Sequence, residues 1–201
     1  MIEFDEYKVK LNNIRPKLDA LADSLGIEAA KEEIDRLHAQ IDSEGFWDNQ
    51  EISQKVMKQS RTLEAKVARY EKMCSQWDDL YTLCEMALED NDDSMLPELT
   101  EGYAQLEQEM ENARLETLLS GGYIVQQVDE NLTYDYLHSS EENLWSILYL
   151  TGYLTSVRAD ELENPLPERF TALTIPNEEI REIYETTVIR WFDESAPKWN
   201  R

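Results

Sequence analysis

Apolar residues recur every three or four positions through the first 120 residues, the spacing of α-helices that pack along one face. Short connections predict that consecutive helices are antiparallel neighbours, giving an elongated antiparallel bundle with long coiled-coil-like helices. Four segments carry the pattern: Phe4, Tyr7, Leu11, Ile14, Leu18, Leu21 and Leu25; Ile27, Ala30, Ile34, Leu37 and Ile41; Ile52, Val56, Ser60, Leu63, Val67, Tyr70, Cys74, Trp77, Tyr81, Cys84 and Leu88; Leu96, Leu99, Tyr103, Leu106, Met110 and Ala113.

The residues between these segments predict where the helices end and begin. Pro16 lies inside the first segment and is expected to kink that helix. Gly26 is expected to end it, and Asp48 or Asn49 can cap the third helix. The third segment is about forty residues long, which corresponds to a helix of roughly 60 Å.

The pattern changes at Gly121-Gly122, where short strands and Pro-rich loops replace long helices. "YIVQQV" and "RFTALTI" alternate like strands, and "TSVRADELENPLPE" is predicted to be a loop. Ser139 and Glu142 form a capping box for an apolar helix, and Pro176-Asn177 starts an amphipathic one. The sequence therefore predicts a mainly α protein, with a helical domain at 1–120 and a small α+β module at 121–201.

Composition limits the possible partners. The net charge of −24 argues against duplex DNA or an anionic membrane, since both require clustered positive charge. No apolar run approaches the roughly 20 residues of a membrane span, and the N-terminus lacks the apolar core of a signal peptide, so we expect a cytoplasmic protein. Cys74 and Cys84 lie too far apart on one predicted helix for a disulfide and are expected to pack in the core.

One group of basic residues stands out against this acidic background. On the third helix these residues fall within an arc of roughly 140°, beside the apolar face. Two interpretations remain open: a solvated face that pairs with acidic neighbours, or a docking surface for RNA phosphate or an acidic partner. We call this set the basic stripe; it comprises Lys55, Lys58, Arg61, Lys66, Arg69 and Lys72.

No residue pattern predicts a catalytic, metal or cofactor site. His38 and His138 cannot form a metal site with two distant cysteines, and His38 is expected at the edge of a helix face. No phosphate-binding G-x-x-x-x-G-K-[ST] motif is present. The aromatic residues of the second part are expected to form its core, with a stacking platform as the alternative: Tyr134, Tyr136, Trp145, Tyr149, Tyr153 and Trp191.

The segments "EGFWDNQEISQKV", "MCSQWDDLYTLCEMALEDND" and "ENARLETLLSGGY" resemble the N-terminal domain of bacterial peptide-chain release factor 2. The resemblance spans nearly all of residues 1–120. It implies a helical domain that faces the GTPase-associated region of the ribosome. The Gly-Gly-Gln and Ser-Pro-Phe motifs that the family uses for hydrolysis and stop-codon reading are absent here, so we expect a non-catalytic interaction module rather than an enzyme.

The segments "ENLTYDYLHSSEENLWSILYLTGYLTSV" and "LTIPNEEIREIYETTVIRWF" resemble the middle segment of predicted AAA-ATPase-like, nuclease-associated bacterial proteins. Together the two resemblances predict a chimera joined at Gly121-Gly122. Three hypotheses follow: a ribosome-associated module acting through the basic stripe, an inactive ATPase-nuclease fragment, or a protein–protein adaptor that is a possible homodimer. The second part can pack on the end of the bundle near Leu115, Leu118 and Leu119, or the joint can be a tether, since Gly121-Gly122 allows either arrangement.

Overall fold

A computed structural model of the chain describes residues 2–90, 92–129, 141–162, 165–166 and 168–188. The protein is mostly helical and carries a small antiparallel sheet, which confirms the predicted fold class. The helices are α1 Ile2–Leu25, α2 Ile27–Ile41, α3 Gln50–Asp90, α4 Leu96–Leu119, α5 Glu141–Leu150 and α6 Glu178–Ile183; the strands are β1 Ile124–Gln127, β2 Thr155–Ser156 and β3 Phe170–Thr174.

The chain divides into two compact units, residues 1–102 and 103–201. The division falls inside α4, so the second half of this helix belongs to the same unit as the sheet. The predicted boundary between 1–120 and 121–201 divides the chain by sequence pattern and not by compact units, and it stays a prediction.

In the first unit, α3 runs antiparallel to both α1 and α2. Trp77 Nε1 donates to the Leu11 carbonyl oxygen at 2.7 Å, which ties α3 to α1. Closer to the start of α3, His38 Nε2 lies 2.7 Å from Glu64 Oε1, which ties α3 to α2. Leu11 of α1 pairs with Trp77, and His38 of α2 pairs with Glu64, which comes earlier in α3. Since α1 and α2 each run antiparallel to α3, they point in the same direction.

The prediction that all consecutive helices are antiparallel neighbours is therefore right for α2 and α3 and wrong for α1 and α2. The reason is the connection, which is the single residue Gly26 in a left-handed conformation with φ of 62°. One residue ends a helix but cannot reverse the chain. The 41 residues of α3 then extend past both shorter helices.

The start of α3 differs from the predicted pattern by one residue. Asn49 caps the helix, since its side-chain oxygen accepts from the Ile52 amide at 3.2 Å, as predicted. Ile52 was expected on the buried face but is 49% exposed, and Ser53 is buried instead. The Ser53 hydroxyl lies 2.6 Å from the Phe46 carbonyl oxygen. This polar contact, rather than hydrophobicity, sets which side of the first turn faces inward.

In the second unit, β3 is the central strand of the sheet, with order β1-β3-β2 and antiparallel pairing on both sides. The predicted strands correspond to β1 and β3, whereas β2 lies in a stretch that was predicted to be a loop. Thr155–Ser156 is only two residues long and pairs with Thr174 and Leu173. Such a strand exists because its partner is present, so its own residues carry little signal.

The core of the second unit joins the end of α4 to the sheet and to α5, in agreement with the prediction that the second part can pack near Leu115 and Leu118. Trp145 and Tyr184 are its largest fully buried side chains. The fully buried Trp145 favours the prediction that the aromatic residues form a core; Tyr134, Tyr136, His138, Ser139 and Trp191 lie outside the described residues. The core comprises Leu115, Leu118, Ile124, Trp145, Leu148, Leu154, Leu173, Ile175 and Tyr184.

Gly121-Gly122, where the sequence pattern changes, ends α4. The Gly122 amide donates to the Thr117 carbonyl oxygen at 2.9 Å and the Gly121 amide to that of Leu118 at 3.1 Å. These two bonds define a Schellman motif, which places its left-handed residue just after the helix. Gly121 has φ of 87°, and a Cβ on Gly122 would lie 2.9 Å from Thr117 Cγ2. Both glycines are thus required by the local geometry.

Candidate functional site

The described residues contain no group of three or more His, Cys, Asp or Glu side chains that could hold a metal ion. Cys74 and Cys84 are free thiols; Cys84 is buried, as expected for core packing, whereas Cys74 is half-buried. Within the described part of the chain, no helix combines the length and the apolar character that crossing a membrane requires. The basic stripe on α3 is therefore the candidate binding surface.

The basic stripe lies on the outward side of the first half of α3. Five of its six residues are exposed, and Arg69 is half-buried. The inward side of the same segment is formed by Val56, Ser60 and Val67, which are buried. The helical spacing thus places cations and core residues on different faces, as predicted.

Two acidic residues of this segment turn away from the stripe and bind α2. The Glu64 carboxylate accepts from the Ser60 hydroxyl at 2.7 Å and contacts His38 at 2.7 Å. These bonds, led by that of Ser60, hold the pKa of Glu64 below its usual value of 4.5. Glu71 forms an ion pair with Lys31 at 3.3 Å. Neither carboxylate is therefore engaged mainly in neutralising the stripe.

The six cations do not all share one environment. The Lys66 ammonium donates to the Leu25 carbonyl oxygen at 2.7 Å, at the C-terminal end of α1, where a cation is favourable. Arg61 lies in the field of Glu64. Lys55, Lys58 and Lys72 form no ion pair with any residue in the described ranges. The structure thus distinguishes a structural cation, Lys66, from three lysines that remain available to a partner, while Arg61 interacts with Glu64 and Arg69 is half-buried.

A shallow, open cleft of about 630 Å³, lined by residues of α3 alone, lies along the same face of this helix. Its lining follows the i, i+3, i+4 spacing of one helix face. Met57, at one end, also packs against the core cluster of Leu37, Phe46 and Val56, which anchors it from below. The cleft is lined by Gln54, Met57, Lys58, Arg61, Thr62 and Ala65.

The sequence reading named Lys58 and Arg61 but missed the apolar part of this surface. Met57 lies beside the regular apolar positions of the segment, so the spacing assigns it neither to the apolar face nor to the basic stripe. The signal that could have found it is the helical spacing of Met57, Thr62 and Ala65 among the basic residues from Lys55 to Lys66, which makes the outward face less polar than a solvated face needs to be.

A second polar cluster, buried in the second unit, was also missed. Glu111 forms an ion pair with Arg114, and both side chains are buried. The Trp145 indole donates to the Glu111 carboxylate at 3.1 Å. An i, i+3 pair of opposite charges is usually a surface pair, so spacing alone does not predict its burial.

Comparison with known proteins gives a match to the PCRF domain family over residues 30–130. Among curated proteins, the chain is similar to peptide chain release factor 2 of Staphylococcus saprophyticus, with 28% identity over 76% of this chain and 40% of that protein. It is 31% identical to peptide chain release factor 2 of an Exiguobacterium species, over 72% of this chain and 41% of that protein. The chain thus spans about two fifths of the length of these relatives.

The matches also extend past Gly121-Gly122. Coverage of 76% of 201 residues is about 153 residues, more than the first 120, and the PCRF match continues to residue 130. The resemblance of the first part to release factors is thereby confirmed. The AAA-ATPase-like resemblance and the chimera gain no support from these matches and stay predictions.

Proposed function

The chain belongs to the PCRF domain family, and on that premise we propose that it is a translation-termination module that associates with the ribosome. The support for the process is the family match together with relatives named peptide chain release factor 2. A cytoplasmic location follows from this proposal.

We propose further that the basic stripe is the ribosome-binding surface. The observation that carries this assignment is the set of three exposed lysines, Lys55, Lys58 and Lys72, that pair with no described carboxylate although the chain has 43 acidic residues. In so acidic a chain, an unpaired group of cations on one face can attract an anionic partner.

The proposal is limited to binding, because the described residues of the stripe offer charge and an apolar cleft. We therefore propose a non-catalytic interaction module. The homodimer and the general protein–protein adaptor remain alternatives. Sedimentation distinguishes them from ribosome association, because a dimer or a complex with another protein is much smaller than a ribosome.

The test is co-sedimentation of the full chain with bacterial ribosomes at two salt concentrations. Reversing two unpaired cations, Lys58→Glu with Lys72→Glu, is expected to weaken binding by about tenfold, since each removed contact and each added repulsion counts. Raising the salt is expected to weaken binding of the unmodified protein as well, because the contact is ionic.

A matched control changes the net charge by the same amount at two exposed cations outside the stripe, Lys10→Glu with Arg158→Glu. This variant is expected to pellet with ribosomes like the unmodified protein. Equal loss in both variants would make net charge, not the stripe, responsible. Failure of the unmodified protein to pellet at low salt would remove the proposed function itself.

A further inference from the structure

We propose that the partner of the basic stripe is an acidic amphipathic helix of a protein, about 17 residues long, rather than an RNA strand. The inference rests on the proposed function, since it names the chemistry of the ribosome-associated surface that the stripe would contact. It is carried by three features of α3: the apolar floor of the cleft, the length of the stripe, and the carboxylates at its two ends.

The first feature is the floor of the cleft. The Thr62 hydroxyl donates to the Lys58 carbonyl oxygen at 2.9 Å, so its polar group is used within α3 and its methyl group remains for a partner. Met57 is half-buried and anchored on the core cluster, and its thioether adapts to apolar side chains of different shapes. Ala65 is small, which leaves room above it. Phosphate groups gain nothing from such a floor, whereas the apolar side chains of a helix do.

The second feature is the arrangement of the cations around this floor. Lys58 and Arg61 line the cleft, Lys55 lies beside its first turn, and Lys72 lies beyond its far end on the same side of α3. From Lys55 to Lys72 the stripe measures about 26 Å, which equals the length of about 17 helical residues. Cations flanking an apolar strip complement a helix that carries leucine-like residues on one face and carboxylates beside them.

The third feature limits the length of the partner. Glu51 and Asp79 are exposed, and helical geometry places both within the arc of the stripe, one before Lys55 and one after Lys72. A nucleic-acid strand carries charge at every residue, so a strand that continued past either end would meet these carboxylates and be repelled. A partner that matches the stripe in length, such as an acidic helix of about 17 residues, ends before it reaches them, so this feature sets the length of the partner and the apolar floor sets its chemistry.

The test measures binding of fluorescent probes to the full chain by anisotropy at about 150 mM salt, where long-range repulsion is screened. One probe is a synthetic 18-residue peptide with leucines at i, i+3, i+4 and i+7 positions and glutamates elsewhere. A second is a scrambled peptide of the same composition, and a third is a 12-nucleotide single-stranded RNA. The amphipathic peptide is expected to bind at least about tenfold more tightly than either of the others.

Two substitutions separate charge from apolar contact. Lys58→Glu with Lys72→Glu is expected to weaken binding of the amphipathic peptide about tenfold. Met57→Gln, at a half-buried position, is expected to weaken it several-fold, while Met57→Leu retains it. Circular dichroism of each variant checks that the helices remain, so that a loss of binding can be attributed to the altered surface and not to unfolding.

Two results would overturn the inference. Equal binding of the scrambled peptide would mean that charge alone acts, and tighter, stripe-dependent binding of the RNA would make RNA the partner. In either case, ribosome co-sedimentation that still depends on Lys58 and Lys72 would leave the proposed function standing. Peptide binding without any ribosome association would instead overturn the proposed function and keep the helix-binding surface.

Discussion

The Trp145 indole donates a hydrogen bond to the Glu111 carboxylate, with 3.1 Å between Nε1 and Oε2, and joins α5 to α4 within the second compact unit. Both side chains are buried, at 0% and 5% exposure. Glu111 also pairs with Arg114, one turn further along α4. A single carboxylate thus accepts from two buried donors. Loss of any one of the three side chains is therefore expected to weaken the contacts of the other two.

Replacing Glu111 by Ala should destabilise the protein by about 3–5 kcal/mol, because the buried Arg114 charge and the Trp145 N–H both lose their partner. Urea unfolding measures this loss. Glu111→Gln, which keeps an acceptor for Trp145 but removes the charge, should cost less. Glu98→Ala removes an exposed carboxylate from the first turn of the same helix and should change the free energy of unfolding by less than about 1 kcal/mol.

Replacing Gly121 by Ala should destabilise the protein by about 1–2 kcal/mol, because φ of 87° brings a Cβ close to the following carbonyl oxygen. Gly121→Asn should cost less, since Asn tolerates the left-handed region better. Thermal unfolding compares the two variants. An increase in stability with Ala, as expected for an ordinary loop glycine, would contradict the left-handed helix end described for this residue.

The two thiols should react at very different rates. Cys84 is fully buried, its thiol donates to the Phe4 carbonyl oxygen at 3.2 Å, and burial raises its pKa, so little thiolate is available to a reagent. In a Cys74→Ser variant the remaining thiol should be modified about a hundredfold more slowly than the half-buried Cys74 thiol in a Cys84→Ser variant. Similar rates in the two folded variants would show that Cys84 is accessible.

The carboxyl pKa of Glu64 should rise when Ser60 is replaced by Ala, because the Ser60 hydroxyl is the strongest of the groups that lower it. A folded-state pKa below the unfolded one stabilises the protein above the unfolded pKa, and this contribution is lost as the pH falls through the folded pKa. Carboxyl-carbon NMR titration measures the shift. Thr62→Ala, which removes a hydroxyl that bonds the Lys58 carbonyl oxygen instead, should leave the Glu64 titration unchanged.

The helices could be predicted because a spacing of three to four residues repeats over long segments and depends on each helix alone. Phe4, Leu11 and Leu18 are all buried on the face that the spacing indicates. The burial of Ser53 instead of Ile52 could not be predicted, because it depends on a hydrogen bond from the Ser53 side chain to the backbone of a preceding turn. The direction of α2 is set by the single residue Gly26, whose left-handed conformation is not revealed by the spacing within either helix.

Of the candidate site, the charges could be predicted and the cleft could not. The basic stripe follows from residue type and helical angle, and its lysines lie where the spacing places them. The distinction between Lys66 and Lys58 required the end of α1, 41 residues earlier, to be located beside Lys66. The same limit applies to Glu111, since its partner Trp145 is 34 residues away in the sequence.

The core shared across the helix end at Gly121-Gly122 limits which recombination events and substitutions in the gene are compatible with the fold. Leu115 and Leu118 are encoded before the glycine codons and Ile124 and Leu173 after them, yet these four side chains pack together. An exchange of coding sequence at this point would bring together leucines and a sheet that had not evolved to pack on each other. A lineage that retains this fold must therefore keep both sides of the joint compatible, so that substitutions in the last turns of α4 and in the strands are constrained jointly.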